Sequence, residues 1–352
     1  MHIAENNLWI RDIKEVLKAV PEISELNGRS IYITGSTGLI CSAVVDVLAQ
    51  WNESNQGMIR IAAAGRNLQK LEKRFEPYIG KTWFSTAVYD AASDSNAFGS
   101  AYDYIIHGAS NASPSKIVKE PVETMLSNFL GMKYLLDFAR QNNVRRVLFI
   151  SSSEVYGKKE GNRPFQSDEY GYVDLLNARN SYSVSKRAAE TLCASYHDEY
   201  GVDSVIVRPG HIYGPTAGET DNRVSSAWAY AVARGEDIVM KSDGAQLRSY
   251  CYCLDCASAI IKVLLKGQCV TAYNISNCDS IISIREMAEV LTRANGVKLS
   301  FEIPTEMEKK GFNPMSNSSL DSTELENLGW KGLFDAERGL SHTVEILKQC
   351  NY

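Results

Sequence analysis

Tyr182 and Lys186 stand four residues apart in SYSVSKRAAE, residues 181–190. On a helix that spacing puts both side chains on one face. A free tyrosine ionises at about pH 10. An ammonium held beside it favours the phenolate and lowers that value. Such a tyrosine can take a proton from an alcohol while a hydride leaves the same carbon. Upstream, residues 150–157 read ISSSEVYG. Three serines end an apolar run, and Glu154 follows at once. Strand alternation predicts Ser152 and Glu154 on one face, away from Ser151 and Ser153.

The hydride needs an acceptor, and TGSTGLIC (34–41) offers a place for one. A diphosphate needs close backbone approach and free N–H groups at a helix N-terminus, and glycine permits both. Gly35, Ser36, Thr37, Gly38, Leu39 and Ile40 are therefore candidate dinucleotide contacts. The next strand ends AAAGRN. An acid there would favour NAD, and a nearby arginine NADP. Gly65 takes the acid's place, Arg66 follows and Lys70 lies one turn on, which leans toward a 2′-phosphate.

Strands are predicted at RSIYITGS, MIRIAAAGR, 84–89, 103–107, 146–151 and 203–208, with helices at 39–50, 121–142 and 181–200. Alternation of this kind argues for a parallel sheet covered on both faces. The expected fold is α/β: a Rossmann-type doubly wound parallel sheet with a smaller C-terminal α/β substrate lobe. Residues 1–28 read as an amphipathic helical extension ended by Pro21 and Asn27-Gly28. Residues 29–215 form the dinucleotide-binding domain. Residues 216–352 are mainly the substrate lobe, with some segments returning to the first domain.

The chain has 352 residues, 44% hydrophobic and 22% charged, with net charge −5. That is globular composition and gives no general reason to expect nucleic acid as partner. No apolar run reaches the roughly 18 residues of a membrane span. The charged N-terminus lacks a signal-peptide core, so a cytoplasmic protein is expected. Eight cysteines in this length do not suggest a disulfide scaffold. Cys251, Cys253 and Cys256 lack the fourth ligand of a metal site and read as reduced core thiols, the first two sharing a strand face. No metal is expected.

The constellation resembles the extended short-chain dehydrogenases/reductases, in their NAD-dependent epimerase/dehydratase family. The likeness runs through TGSTGLIC, HGASNASP (107–114), ISSSEVYG, the Tyr–Lys helix, RPGHIYGP (208–215), DNRVSS (221–226), QLRSYCY (246–252) and LENLGWKGLF (325–334). It is strongest to the UDP-glucuronate decarboxylases, with the 4,6-dehydratases and 4-epimerases as neighbours. The resemblance implies NAD, a nucleotide-diphosphate sugar, oxidation at carbon 4 with the nicotinamide recycled, and a homodimer through the helices at 121–142 and 181–200. It also implies cofactor contacts from Asp90, Ala109, Asn128, Tyr182 and Lys186, and substrate contacts from Asn111, Ser153, His211, Arg223 and Arg248. Ser152 would hydrogen-bond the reacting hydroxyl, and Glu154 would work near carbon 5.

Dehydratases carry an aspartate where this chain has Ser153, and a serine is a poor general acid near neutral pH. Losing CO2 beside a ketone needs no acid to expel hydroxide. Decarboxylation of a nucleotide uronate is therefore the expected reaction. The alternatives are a 4-epimerase, an atypical dehydratase or an NADPH-dependent reductase. A non-catalytic dinucleotide-binding protein is disfavoured by the retained Tyr182, Lys186 and Glu154. The chain departs from the pattern at Cys41 (third glycine), at His211 (asparagine), at SPSKIV, where Lys116 stands and an aromatic is usual, and at Arg66.

Overall fold

The structure, a computed structural model, describes residues 1–99, 101–305 and 315–350. The strands of the main sheet are β1 (Ser30–Thr34), β2 (Arg60–Gly65), β3 (Phe84–Val88), β4 (Tyr104–His107), β5 (Arg146–Ile150) and β6 (Ser204–Pro209), joined later by β10. Two short strands, β7 (His211–Tyr213) and β8 (Ile238–Met240), precede β9 (Leu247–Tyr252). β10 (Ala272–Ile275), β11 (Ile281–Ser283) and β12 (Leu299–Phe301) follow. The seven-stranded sheet runs β10-β6-β5-β4-β1-β2-β3, and every pairing in it is parallel. The order reverses between β1 and β4, where open α/β sheets bind their ligands. The Rossmann-type expectation holds.

Residue alternation builds a core on each face of this sheet. Ile31, Ile33, Ile106, Leu148 and Val207 pack into one buried cluster, and Tyr32, Ile105, Val147, Phe149 and Ile206 into the other. The helices up to α8 are α1 (Asn7–Ala19), α2 (Leu39–Asn55), α3 (Leu68–Arg74), α4 (Pro114–Lys119), α5 (Pro121–Gln141), α6 (Ser181–Tyr200), α7 (Val224–Ala233) and α8 (Cys253–Lys266); α7 packs away from this sheet, against the helices Ile284–Asn295 and Ala336–Gln349. α2 packs against α8 and α5 against α6. α8 and β10 thus lie against the main sheet although they follow residue 216. β9 bridges β7 and β11 in a second sheet, and β12 pairs with β8 in a third.

The N-terminal segment is part of the core. Trp9, Ile13 and Val16 are buried, and the Trp9 indole donates to the buried Asp46 of α2 at 3.0 Å. Arg74 and Tyr78 meet the same carboxylate. At the far end, Asp12 meets His342 at 2.8 Å on the helix Ala336–Gln349.

One local expectation fails. Cys251 lies on β9, but Cys253 opens α8, so the two do not share a strand face. The tyrosine before it ends the strand, and the helical turn rotates Cys253 and Cys256 into the helix–sheet core, where all three thiols are free and buried. No helix among the described residues is long and apolar enough to cross a membrane.

Candidate active site

The glycine turn sits at the end of β1, beside β4. Gly35 has φ +70°, and a Cβ there would stand 2.7 Å from the Gly108 carbonyl, so the turn requires glycine. Gly38 is the N-cap of α2, and no side chain caps that helix. Its first N–H groups therefore have no intrahelical partner, which is the arrangement that receives a phosphate. The turn thus fits a dinucleotide. Thr37 and Ile40 are half-buried, while Leu39 is buried and its carbonyl accepts from Thr216.

Ser36 serves the turn differently from a cofactor contact. Its hydroxyl donates to the Ile33 carbonyl and accepts from the Ala64 amide, while its own amide bonds the Ala64 carbonyl. Its side chain is spent on tying β1 to β2. Cys41 is 3% exposed. A Cβ on residue 108 would fall 2.3 Å from its sulfur, so Gly108 provides the room that the thiol takes.

Around the rest of the crevice, Arg66 and Lys70 are exposed beyond β2, and Gly65 is buried against Leu71. Asp90 is half-buried and accepts the Ala92 amide. The Ala109 amide bonds the Thr34 hydroxyl. Asn128 is fully buried and knots three elements. It accepts from Ser110 at 2.7 Å and donates to Thr124 of α5 and Ser185 of α6. Asn111 is half-buried just beyond, and Lys116 is exposed.

Tyr182 and Lys186 both lie on α6, and both are buried. Their electrostatics differ from the expectation. Burial pushes the Tyr182 phenol up to about 12, and the charge of Glu154 adds to this, while hydrogen bonding from Ser152 and Ser110 pulls the other way. Lys186 does not offset it. Its Nζ donates to the Ile150 carbonyl at 2.8 Å and lies 5.8 Å from the Tyr182 ring centroid. Burial lowers the ammonium to about 7, with Glu190 opposing. The helix shares a face as the spacing predicts, but the strand's carbonyl captures the amine.

Lys186 gives a testable consequence. In the unfolded chain a lysine keeps its proton to about pH 10.4. Between about pH 7 and 10 the unfolded chain thus binds more protons at this residue, so stability rises with pH there. Lys186→Met should flatten this rise; urea unfolding at pH 7, 8 and 9 would give parent and variant the same change of stability with pH if the ammonium were not so depressed.

The serine segment also differs. β5 ends at Ile150, and Ser153–Tyr156 is a single 3₁₀ turn. Ser152 and Glu154 are brought together by capping, not strand alternation. The Ser152 hydroxyl accepts the Glu154 amide at 3.2 Å. Ser151 points to the opposite side and donates to Glu190. Glu154 itself is held by residues that sequence reading missed. Arg179 forks onto it at 3.2 and 3.3 Å, and Ser183 donates at 3.2 Å. Both flank Tyr182, at −3 and +1, and the −3 helical spacing was the available signal.

Across the crevice, His211 opens β7 and pairs in register with Tyr250 of β9. Its ring is held neutral, pushed down to about 3 by burial and then by the charges of Arg248 and Arg223. Its Nδ1 is buried and has no hydrogen-bond partner among the described residues. Arg223 pairs with Asp221, and its charge reaches Tyr182. Arg248 is 4% exposed and donates to the carbonyls of Leu247 and Met315. The charges of Glu154 and Arg223 thus reach the Tyr182 phenol, those of Arg223 and Arg248 reach the His211 imidazole, and Arg179 holds Glu154.

The model of the NAD dependent epimerase/dehydratase family matches residues 31–276. The chain belongs to this family. It is 30% identical over 310 residues to UDP-glucuronic acid decarboxylase 6 of Arabidopsis thaliana, covering 88% of this chain and 86% of that one. It is therefore an enzyme of this kind. Among solved structures, the fold matches UDP-glucose 4-epimerase of Thermotoga maritima with UDP-glucose, at TM-score 0.76 and 21% identity, over 92% of this chain and 100% of that one. It likewise matches the dTDP-glucose 4,6-dehydratase of Streptomyces venezuelae solved with NAD, at TM-score 0.76 and 21% identity, over 91% and 97%. Proteins named for different chemistries thus share this backbone, so the fold alone does not select the reaction.

Proposed function

We propose that this enzyme modifies a nucleotide-diphosphate sugar by way of a 4-keto intermediate, and that its reaction is decarboxylation of a nucleotide uronate. The observation that carries this is the 3₁₀ turn after β5. It offers a hydroxyl, Ser153, where dehydration needs an acid, and keeps Glu154 within electrostatic reach of Tyr182. Relatives named UDP-glucuronic acid decarboxylase, at about 30% identity, support the same reading.

NAD, when bound at the glycine turn, supplies a hydride acceptor and then a donor at carbon 4. The residues do the rest. Tyr182 takes the proton of the carbon 4 hydroxyl and Ser152 orients that hydroxyl. The ketone at carbon 4 then withdraws the electrons released as CO2 leaves carbon 5. Glu154 handles the proton delivered to carbon 5. Arg223, Arg248 and His211 receive the diphosphate and the sugar.

Purified enzyme given UDP-glucuronate and NAD is expected to release CO2 with no net NADH; no CO2 would sink the uronate assignment. A second reading, an NADPH-dependent reductase, is favoured by exposed Arg66 and the lack of an acid at Gly65. Net NADPH consumption would establish it. The proposed dimer contact is formed by α5 and α6, and on α5 Val122, Met125 and Leu126 form an exposed apolar stripe at helical spacing.

A further inference from the structure

Arg179 is the guanidinium that holds Glu154, the carboxylate whose charge reaches Tyr182. It stands three residues before Tyr182, on the single turn Ala178–Asn180 that Asn177 caps. Its contacts to Glu154, at 3.2 and 3.3 Å, are long. Charge-assisted bonds of this kind usually close to about 2.7–2.9 Å. Both side chains are 40% exposed, and ion pairs so open are weakly held. Glu154 has a second donor in Ser183, so it stays hydrogen-bonded when Arg179 turns away. Arg248 is the opposite case: buried, anchored on two backbone carbonyls, and on another strand.

We propose that Arg179 reads the carboxylate of the substrate sugar, leaving Glu154 for it on binding. This rests on the uronate reading given above. In a uronate the carboxylate is attached to carbon 5, next to the carbon whose hydroxyl meets Tyr182. Glu154 lies within electrostatic reach of that phenol, so the incoming carboxylate arrives beside a like charge. A cation must answer it. A guanidinium fork takes one carboxylate at a time in bidentate fashion. Arg179 is loosely bound, exposed and already aimed at a carboxylate. The exchange frees Glu154 for its work at carbon 5. A sugar with a neutral hydroxymethyl group offers no competitor, so Arg179 stays on Glu154. Arg179 is thus a specificity-determining residue, separating uronates from neutral hexoses.

The test is calorimetric titration of UDP-glucuronate and UDP-glucose in a Tyr182→Phe background, which slows turnover about 10²-fold or more. Arg179→Gln should weaken UDP-glucuronate at least tenfold and UDP-glucose less than threefold. Arg179→Lys should recover part of the uronate binding, since it keeps the charge without the fork. Equal losses for both ligands would mean a general structural role and overturn the proposal. So would a preference for the uronate that Arg179→Gln leaves intact, which spares the uronate reading and points to Arg248. If the Tyr182→Phe enzyme with Arg179 in place binds UDP-glucuronate no tighter than UDP-glucose, both fail.

Discussion

Tyr182→Phe is expected to lower turnover about 10²- to 10⁴-fold, the usual contribution of a positioned acid–base group. The residue is 6% exposed, and phenylalanine keeps the buried ring, so packing is retained. Only the hydroxyl is lost. Nucleotide-sugar affinity and melting temperature should therefore change little. A kcat within threefold of the parent enzyme would remove Tyr182 from the chemistry. The phenol's rise to about 12 has a bearing here. Burial is its main cause and Glu154 the next, so the charge state of the Glu154–Arg179 pair affects the base directly. A phenol this reluctant to ionise needs a cation in the assembled complex. Among the described residues, the Lys186 amine donates to the Ile150 carbonyl, not to the phenol.

Arg208→Met is expected to destabilise the fold by about 3–5 kcal/mol, the range found when one partner of a buried ion pair is removed. Arg208 lies on β6 with 1% side-chain exposure, and Glu190 on α6 with 9%. The guanidinium donates to Glu190 at 3.0 and 2.6 Å, to the hydroxyls of Tyr156 and Tyr170, and to the Ser167 carbonyl. Glu190 would be left as a buried carboxylate with Ser151 as its one remaining side-chain donor among the described residues. Urea unfolding measures the loss, and Arg208→Met with Glu190→Leu should recover most of it, because the uncompensated charge is then gone. A single-variant loss below 1 kcal/mol would show that water or rearrangement satisfies Glu190. The consequence reaches the active site, since Glu190 is the acid that opposes the depression of Lys186.

Much of this protein was legible in its residues because the signals are short-range. Alternating apolar residues gave two faces to each strand, and both cores are assembled from that alternation. Gly35 and Gly38 marked a turn that needs a positive φ and an uncapped helix start, and the structure has both. Tyr182 and Lys186 share α6 because four residues make about one turn. These are properties of a few consecutive residues, and a sequence carries them directly.

Through-space decisions were not legible. Strand alternation was the wrong reason for pairing Ser152 with Glu154, because β5 stops at Ile150 and a capped turn takes over. The amine expected beside the phenol went to a carbonyl of β5, 36 positions away. Arg179 reached Glu154 across 25 residues, and Cys41 found its room at Gly108. The sequence alone determined the order of elements, the parallel sheet and which helix carries the reactive pair. Only the tertiary structure decided which charge meets which carboxylate, because burial and Coulomb energies depend on distances between segments remote in the chain.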